Sequence, residues 1–257
     1  MIKFFRKIRQ KLLTENKFSK YLIYAIGEII LVVIGILIAL QINNWNQSKQ
    51  NQKLELEYLV GIKSNLNDDI DELERHFDGD TIKFDAYTSL VRTFNSTNFI
   101  SKKQEIISNL RTTSRLSWFE GQNIVFENIK SSGKLNLIQS DSISNSIQKY
   151  YRFFEEVVKQ ESLYNSQIIK CHDRNQQYYN NTSFIEPYFD ERWNANTGPP
   201  SLSFLEAPEF DDIKPILIDN ISSMKSWEIN AHKVRLALYN QAKSLNNLIG
   251  QYITEQK

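Results

Sequence analysis

Residues 21–42 read YLIYAIGEIILVVIGILIALQI, apolar throughout except for Glu28 and Gln41. At about 1.5 Å of rise per residue this run makes a helix of about 33 Å, enough to cross a hydrocarbon core of about 30 Å. A cleavable secretory leader has a shorter apolar region, about 7–15 residues, ending at small residues that mark its cleavage site. Here the run is longer and continues as Gln41, Ile42, Asn43, Asn44 and Trp45. The expectation is an uncleaved transmembrane helix over residues 21–42.

The flanks give the span a direction. Residues 1–20 hold Lys3, Arg6, Lys7, Arg9, Lys11, Lys17 and Lys20 against the single acid Glu15, whereas the twenty residues after the span hold only Lys49 and Lys53. Positive charge beside a span end stays cytoplasmic, so the N-terminus is expected inside and residues 43–257 outside. In a bacterium with two membranes that places the larger part on the periplasmic face of the inner membrane. Ile2, Phe5, Ile8 and Leu12 recur at helical spacing among the basic residues, the pattern of an amphipathic helix lying on an anionic leaflet. Trp45 marks the opposite interface.

Within the span, Gly27, Gly35 and Ala39 lie on one row that lets two helices approach closely, with Glu28 beside it. Gly27, Glu28, Gly35 and Ala39 are therefore candidate contacts with a second copy or another membrane protein. A carboxylate in hydrocarbon is costly, so Glu28 either faces such a partner or is relieved by water near the cytoplasmic end.

Composition sets further bounds. Lys and Arg number 31 against 30 Asp and Glu, so the part after the basic segment is acidic, and no nucleic-acid surface is indicated. Cys171 is the only cysteine, which excludes an intramolecular disulfide. Eight Gly and five Pro are few for this length and favour long regular elements.

Helical periodicity dominates beyond the polar stretch 46–53. Leu56, Leu59, Leu66, Ile70, Leu73 and Phe77, then Phe84, Tyr87, Val91 and Phe94, predict one long helix, or two with a break at Asp78-Gly79-Asp80. The acids Glu55, Glu57, Asp68, Asp69, Asp71, Glu72 and Glu74 read as its solvated face. Short helices are expected over 102–111 and 119–130, the second closed by Gly133, and Asp141 is expected to cap a long helix reaching Gln176. Every proline falls within 180–220, an irregular insertion. Met224, Trp227, Ala231, Val234, Leu238, Gln241, Leu245, Leu248 and Tyr252 then form a regular seam, with Gln241 as its polar member. The fold class expected is all-α, one transmembrane helix followed by an elongated antiparallel bundle resembling a coiled coil.

The stretch YAIGEIILVVIGILIALQINNWN, preceded by the basic MIKFFRKIRQ and ENKFSKYL, resembles the signature of a flavobacterial family catalogued as domain of unknown function 6090. FENIKSSGKLNLIQSDSISNSIQKYY is similar to that family's second motif: a helix, a Ser-Gly turn, a Leu/Ile hinge and a helix with a Tyr pair. The resemblance implies a single-pass membrane protein with a mostly helical extracytoplasmic region, and it brings no activity or catalytic residues with it.

The sequence holds no phosphate-cradling glycine loop, nucleophile elbow or zinc-protease motif. Cys171-His172-Asp173 places three ligand types in a row, but adjacent helical side chains diverge by about 100° and do not close on one ion. No metal, cofactor or catalytic residue is assigned. The aromatics Tyr178, Tyr179, Tyr188, Phe189 and Trp193 are a candidate partner or ligand surface, or else the packing that anchors the insertion. The expected function is a non-enzymatic membrane-tethered module that binds a partner or ligand or serves as a scaffold. The alternatives are an ion-coupled or force-transmitting, stator-like subunit working through Glu28, and a hydrolase with its site within 171–220.

Overall fold

The computed structural model describes residues 18–176, 178, 203–206 and 208–256. These form five α-helices: α1 (Phe18–Phe94), α2 (Lys103–Thr113), α3 (Ile124–Ser131), α4 (Asp141–Gln176) and α5 (Phe210–Glu255). Short 3-10 turns lie at Phe99–Lys102, Leu135–Leu137 and Ser203–Glu206. No strand occurs among the described residues. The basic segment before Phe18 lies outside them.

The chain divides into two compact units, Met1–Leu56 and Glu57–Lys257. In the first, the apolar run of α1 is exposed along its length, from Leu22 at 50 % through Leu31 at 70 % to Ile42 at 55 %. Beyond it Trp45 and Lys49 meet one turn apart, the ammonium 4.0 Å from the ring centroid.

The second unit buries two apolar cores. One joins Leu59, Ile62, Leu66 and Leu73 of α1 to Ile143, Ile147, Phe154 and Val157 of α4 and Leu238, Leu245 and Ile249 of α5. The other joins Tyr87, Leu90 and Phe94 of α1 to Ile106 and Leu110 of α2, Ile168 and Cys171 of α4, and Leu217, Ile221 and Met224 of α5. Polar contacts mark the register. Asn246 bonds Asn67, Tyr239 bonds Glu74 and Lys225 bonds Thr88, so numbers fall along α5 as they rise along α1.

The helix ends follow local chemistry, and two of three points depart from expectation. First, α1 is one long helix with no break at Gly79, as one of the two expected alternatives has it, because Asp80 is held by α5 and tertiary contacts outweigh the glycine's weak helix propensity. Second, α3 begins at Ile124 rather than Phe119, since Gly121 adopts φ +54, outside the right-handed helical region, in a loop whose N–H groups at Phe119, Glu120, Gly121 and Gln122 are donated to side-chain carboxylates. Third, α5 begins at Phe210, inside the proline-bearing segment, with Pro215 in its second turn.

Two other ends are as expected or one residue away. Gly133 adopts φ +68 after α3, with Lys134 N–H bonded to the Ile129 carbonyl and Gly133 N–H to that of Lys130, a Schellman closure. Ser140 caps α4, its hydroxyl accepting the Ile143 N–H at 3.4 Å, and Asp141 occupies the first turn, where the helix dipole favours an acid.

Candidate functional site: a buried ionic layer

Between the two cores, each of the three long helices carries charge inward. Asp80 and Lys83 come from α1, Glu161 from α4, and Glu228 and Arg235 from α5, all at most 4 % exposed. Arg235 stands at the centre. Its Nε donates to Glu161 at 2.5 Å and its Nη1 to Asp80 at 2.7 Å, while Nη2 lies 3.7 Å from Glu228. Lys83 donates to Glu228 at 2.8 Å and to the Ser117 hydroxyl at 2.9 Å. Burial disfavours the Arg235 charge, but Asp80, Glu161 and Glu228 outweigh that and hold its pKa above the ordinary arginine value.

His232 closes the layer at its rim. Its Nδ1 lies 2.8 Å from Asp80, and its ring is 29 % exposed between the edges of Phe77 and Phe84. Asp80, Glu161 and Glu228 thus face Arg235, Lys83 and one imidazole. Each acid is bonded to a cation or a backbone N–H, so the layer offers charge pairing and positioning rather than a free nucleophile or base.

A second set of carboxylates clamps the loop between α2 and α3. Glu161 accepts the Phe119 N–H at 2.7 Å with its other oxygen. Glu72 accepts those of Glu120 and Gly121 at 2.9 and 3.2 Å, and Asp69 that of Gln122 at 2.6 Å. Asn165 reaches the Ser117 carbonyl at 2.8 Å. Asp69 also accepts the Tyr150 hydroxyl at 2.6 Å inside the first core. Burial pushes the Asp69 carboxyl up to about 6 against these two hydrogen bonds. Glu72 is less buried; His76 and the two loop N–H groups outweigh its desolvation and hold it below the ordinary glutamate value.

The acidic face of α1 is therefore not simply solvated, since Asp69 is fully buried and Glu72 half-buried. Polar groups inside α4 and α5 fell outside the sequence expectation as well. The apolar pattern of the sequence runs the α5 seam through Trp227, Val234 and Gln241. The buried positions are one residue further on, at Glu228, Arg235 and Ala242, and Gln241 lies at the margin.

The remaining candidate residues are dispersed. Glu28 is partly covered in the first unit, Ala39 is exposed, and nothing approaches within 4 Å of the space a side chain would take at Gly27 or Gly35. Tyr178 packs against the second core. Tyr179, Tyr188, Phe189 and Trp193 lie outside the described residues. Cys171 and His172 are both buried and turn to different partners. The Arg174 guanidinium donates to the Cys171 sulfur at 3.0 Å, and His172 Nε2 lies 3.3 Å from the Thr113 carbonyl. Burial pushes the His172 imidazole down to about 4. Among the described residues no group of three or more His, Cys, Asp or Glu is arranged to hold a metal ion.

The described residues thus define an all-helical protein, its interior crossed by paired charges. One of its helices is long and apolar enough to cross a membrane by length and composition. The chain belongs to the family of unknown function DUF6090, whose model matches residues 28–186. That stretch includes Asp80, Lys83, Glu161 and the clamped loop, while Glu228, His232 and Arg235 follow it. No curated protein and no solved structure matches the chain.

Proposed function

We propose that the chain is a non-enzymatic, single-pass membrane protein. Its N-terminus lies in the cytoplasm, and its antiparallel helical bundle stands on the outer face of the inner membrane, where it binds a partner or serves as a scaffold. The observation that carries this reading is the contrast between the two units. The most apolar window of α1 has a mean hydropathy of 2.6 and none of it is covered by the chain, whereas the leucines and isoleucines along the seams beyond Glu57 are largely covered. An exposed apolar helix of this length is satisfied by lipid. The Lys/Arg excess before the span supports the orientation. The falling and rising numbers of the α5–α1 contacts support the antiparallel bundle. Mutual pairing of the interior charges supports a mechanical or recognition role over chemistry.

Two reporters test the placement. Alkaline phosphatase fused after the last residue is expected to be active and to fractionate with the inner membrane, while a fusion before the span is inactive. The reverse pattern, or recovery of the full chain in the soluble fraction, overturns the anchor. Crosslinking in intact cells through photoreactive residues placed along the 27–35–39 face tests for a partner. Absence of any adduct, to itself or to another protein, counts against the scaffold reading.

A further inference from the structure

The buried face of α5 is mainly aliphatic, with Leu217, Ile221, Leu238, Leu245 and Ile249 at heptad-type spacing against seams of α1 and α4 that add Tyr87, Phe94, Tyr150 and Phe154, and an aliphatic face of this kind can repack when its helix slides by a heptad. The ionic layer interrupts all three at one level. We propose that this layer is a register lock, which holds α5 at a single position along α1 and α4 because each one-heptad slip buries like charges together.

Both slips can be followed residue by residue. Sliding α5 by about 10 Å in one direction brings Glu228 to the place of Arg235, against Asp80 and Glu161. Arg235 then enters the first core where Ala242 lies, and Ile221 faces the Lys83 ammonium. Lys225 arrives at the rim beside Asp80, but Glu161 keeps no cation. Sliding the other way sets Arg235 in the place of Glu228, against Lys83. Ala242 then stands between Asp80 and Glu161, which lose their guanidinium. Only the observed register gives each acid its donor: Asp80 and Glu161 from Arg235 at 2.7 and 2.5 Å, and Glu228 from Lys83 at 2.8 Å. A lock of this kind acts by penalising alternatives and does not require the layer itself to be stabilising, because buried ion clusters are often replaced by apolar residues without loss.

The test is a distance measurement on the full chain in detergent micelles, with Cys171→Ser removing the native thiol. Spin labels are placed at Ser64→Cys on α1 and Ser226→Cys on α5, about 30 Å apart along the helices. The native layer is expected to give one distance. The variant Asp80→Leu/Lys83→Met/Glu161→Leu/Glu228→Leu/Arg235→Met is expected to stay helical and show further distances displaced by about 10 Å. Retention of the single native distance in that folded variant overturns the lock. A second variant moves the charges instead: Glu228→Ala/Arg235→Glu/Ala242→Arg shifts the α5 set by one heptad. The lock predicts that α5 follows its charges and lengthens the label distance by about 10 Å. An unchanged distance in this variant overturns the proposal equally.

Discussion

Gly121→Ala is expected to be among the most damaging single-methyl additions available in this chain. Gly121 sits in the clamped loop at φ +54, and a Cβ built there lies 2.2 Å from Phe154 Cε2 and 2.6 Å from Phe119 Cζ. Neither ring has room to yield. Phe154 is 4 % and Phe119 2 % exposed, they meet edge to face at 5.4 Å, and Tyr150 and Tyr151 close the other side of Phe154. The left-handed backbone costs an L-residue about 1–2 kcal/mol. Overpacking a closed core adds about 1–3 kcal/mol, for a total of about 2–5 kcal/mol. In a domain of this size that lowers the thermal midpoint by about 5–15 °C. Gly133→Ala is the matched control. Its φ is +68, but no atom lies within 4 Å of the added Cβ, so it carries the backbone cost alone, about 1–2 kcal/mol. Thermal unfolding of both variants of the full chain in micelles, followed by circular dichroism, reads the difference. If the two lose the same stability to within about 0.5 kcal/mol, the packing of the loop against Phe154 is not as described.

Arg235→Met leaves Asp80 and Glu161 buried without their cation and is expected to cost about 3–5 kcal/mol by the same assay; a loss under about 1 kcal/mol would mean that water reaches the layer. Tyr150→Phe removes one of the two donors to Asp69 and is expected to cost about 1–2 kcal/mol. It also raises the Asp69 pKa further, visible as a shifted carboxyl titration by NMR. The pH dependence follows from two buried groups of opposite sign. Asp69 titrates near 6 in the fold against 3.8 when exposed, so its contribution is full below 3.8 and lost as pH rises through about 6. His172 titrates near 4 against 6.5, so its contribution is full above 6.5 and lost as pH falls through about 4. The two largely offset between pH 4 and 6. His172→Gln is expected to uncover a stability that rises on acidification across this window, and Asp69→Asn one that falls; equal slopes in both variants would contradict the assignment.

The all-helical architecture was legible because helical spacing of apolar residues survives in the sequence along α1, α4 and α5. The ionic layer was not, and the reason is specific. Glu161, Glu228 and Arg235 stand at core positions, yet an apolar count passes over them to the nearest hydrophobic neighbour. On α5 that neighbour was Trp227 or Val234, one residue out of phase. An α-helix drifts against a strict heptad, so both phases match the apolar pattern for several turns. The signal available was the charge itself, since a lone acid or base recurring seven residues from another in an otherwise apolar seam points to an inward pair. Asp69 and Glu72 were hidden differently. Their partners are backbone N–H groups of a loop some fifty residues away, and no periodicity within α1 reports them. The loop they hold includes Gly121 at φ +54, a left-handed conformation that a right-handed helix cannot include, so α3 starts only after it.

Cys171, the single sulfhydryl of the chain, lies 1 % exposed in the second core. It thereby supplies a built-in gauge of native-state opening. A thiol reagent reaches it only when α4 parts from α5 at that level, so the labelling rate in the unmodified protein, divided by that of an exposed cysteine, gives the equilibrium for opening this half of the interior. Nothing on the far side of the ionic layer carries a thiol. Set against the free energy of global unfolding, that equilibrium tells whether the second core opens alone or only when the whole domain unfolds.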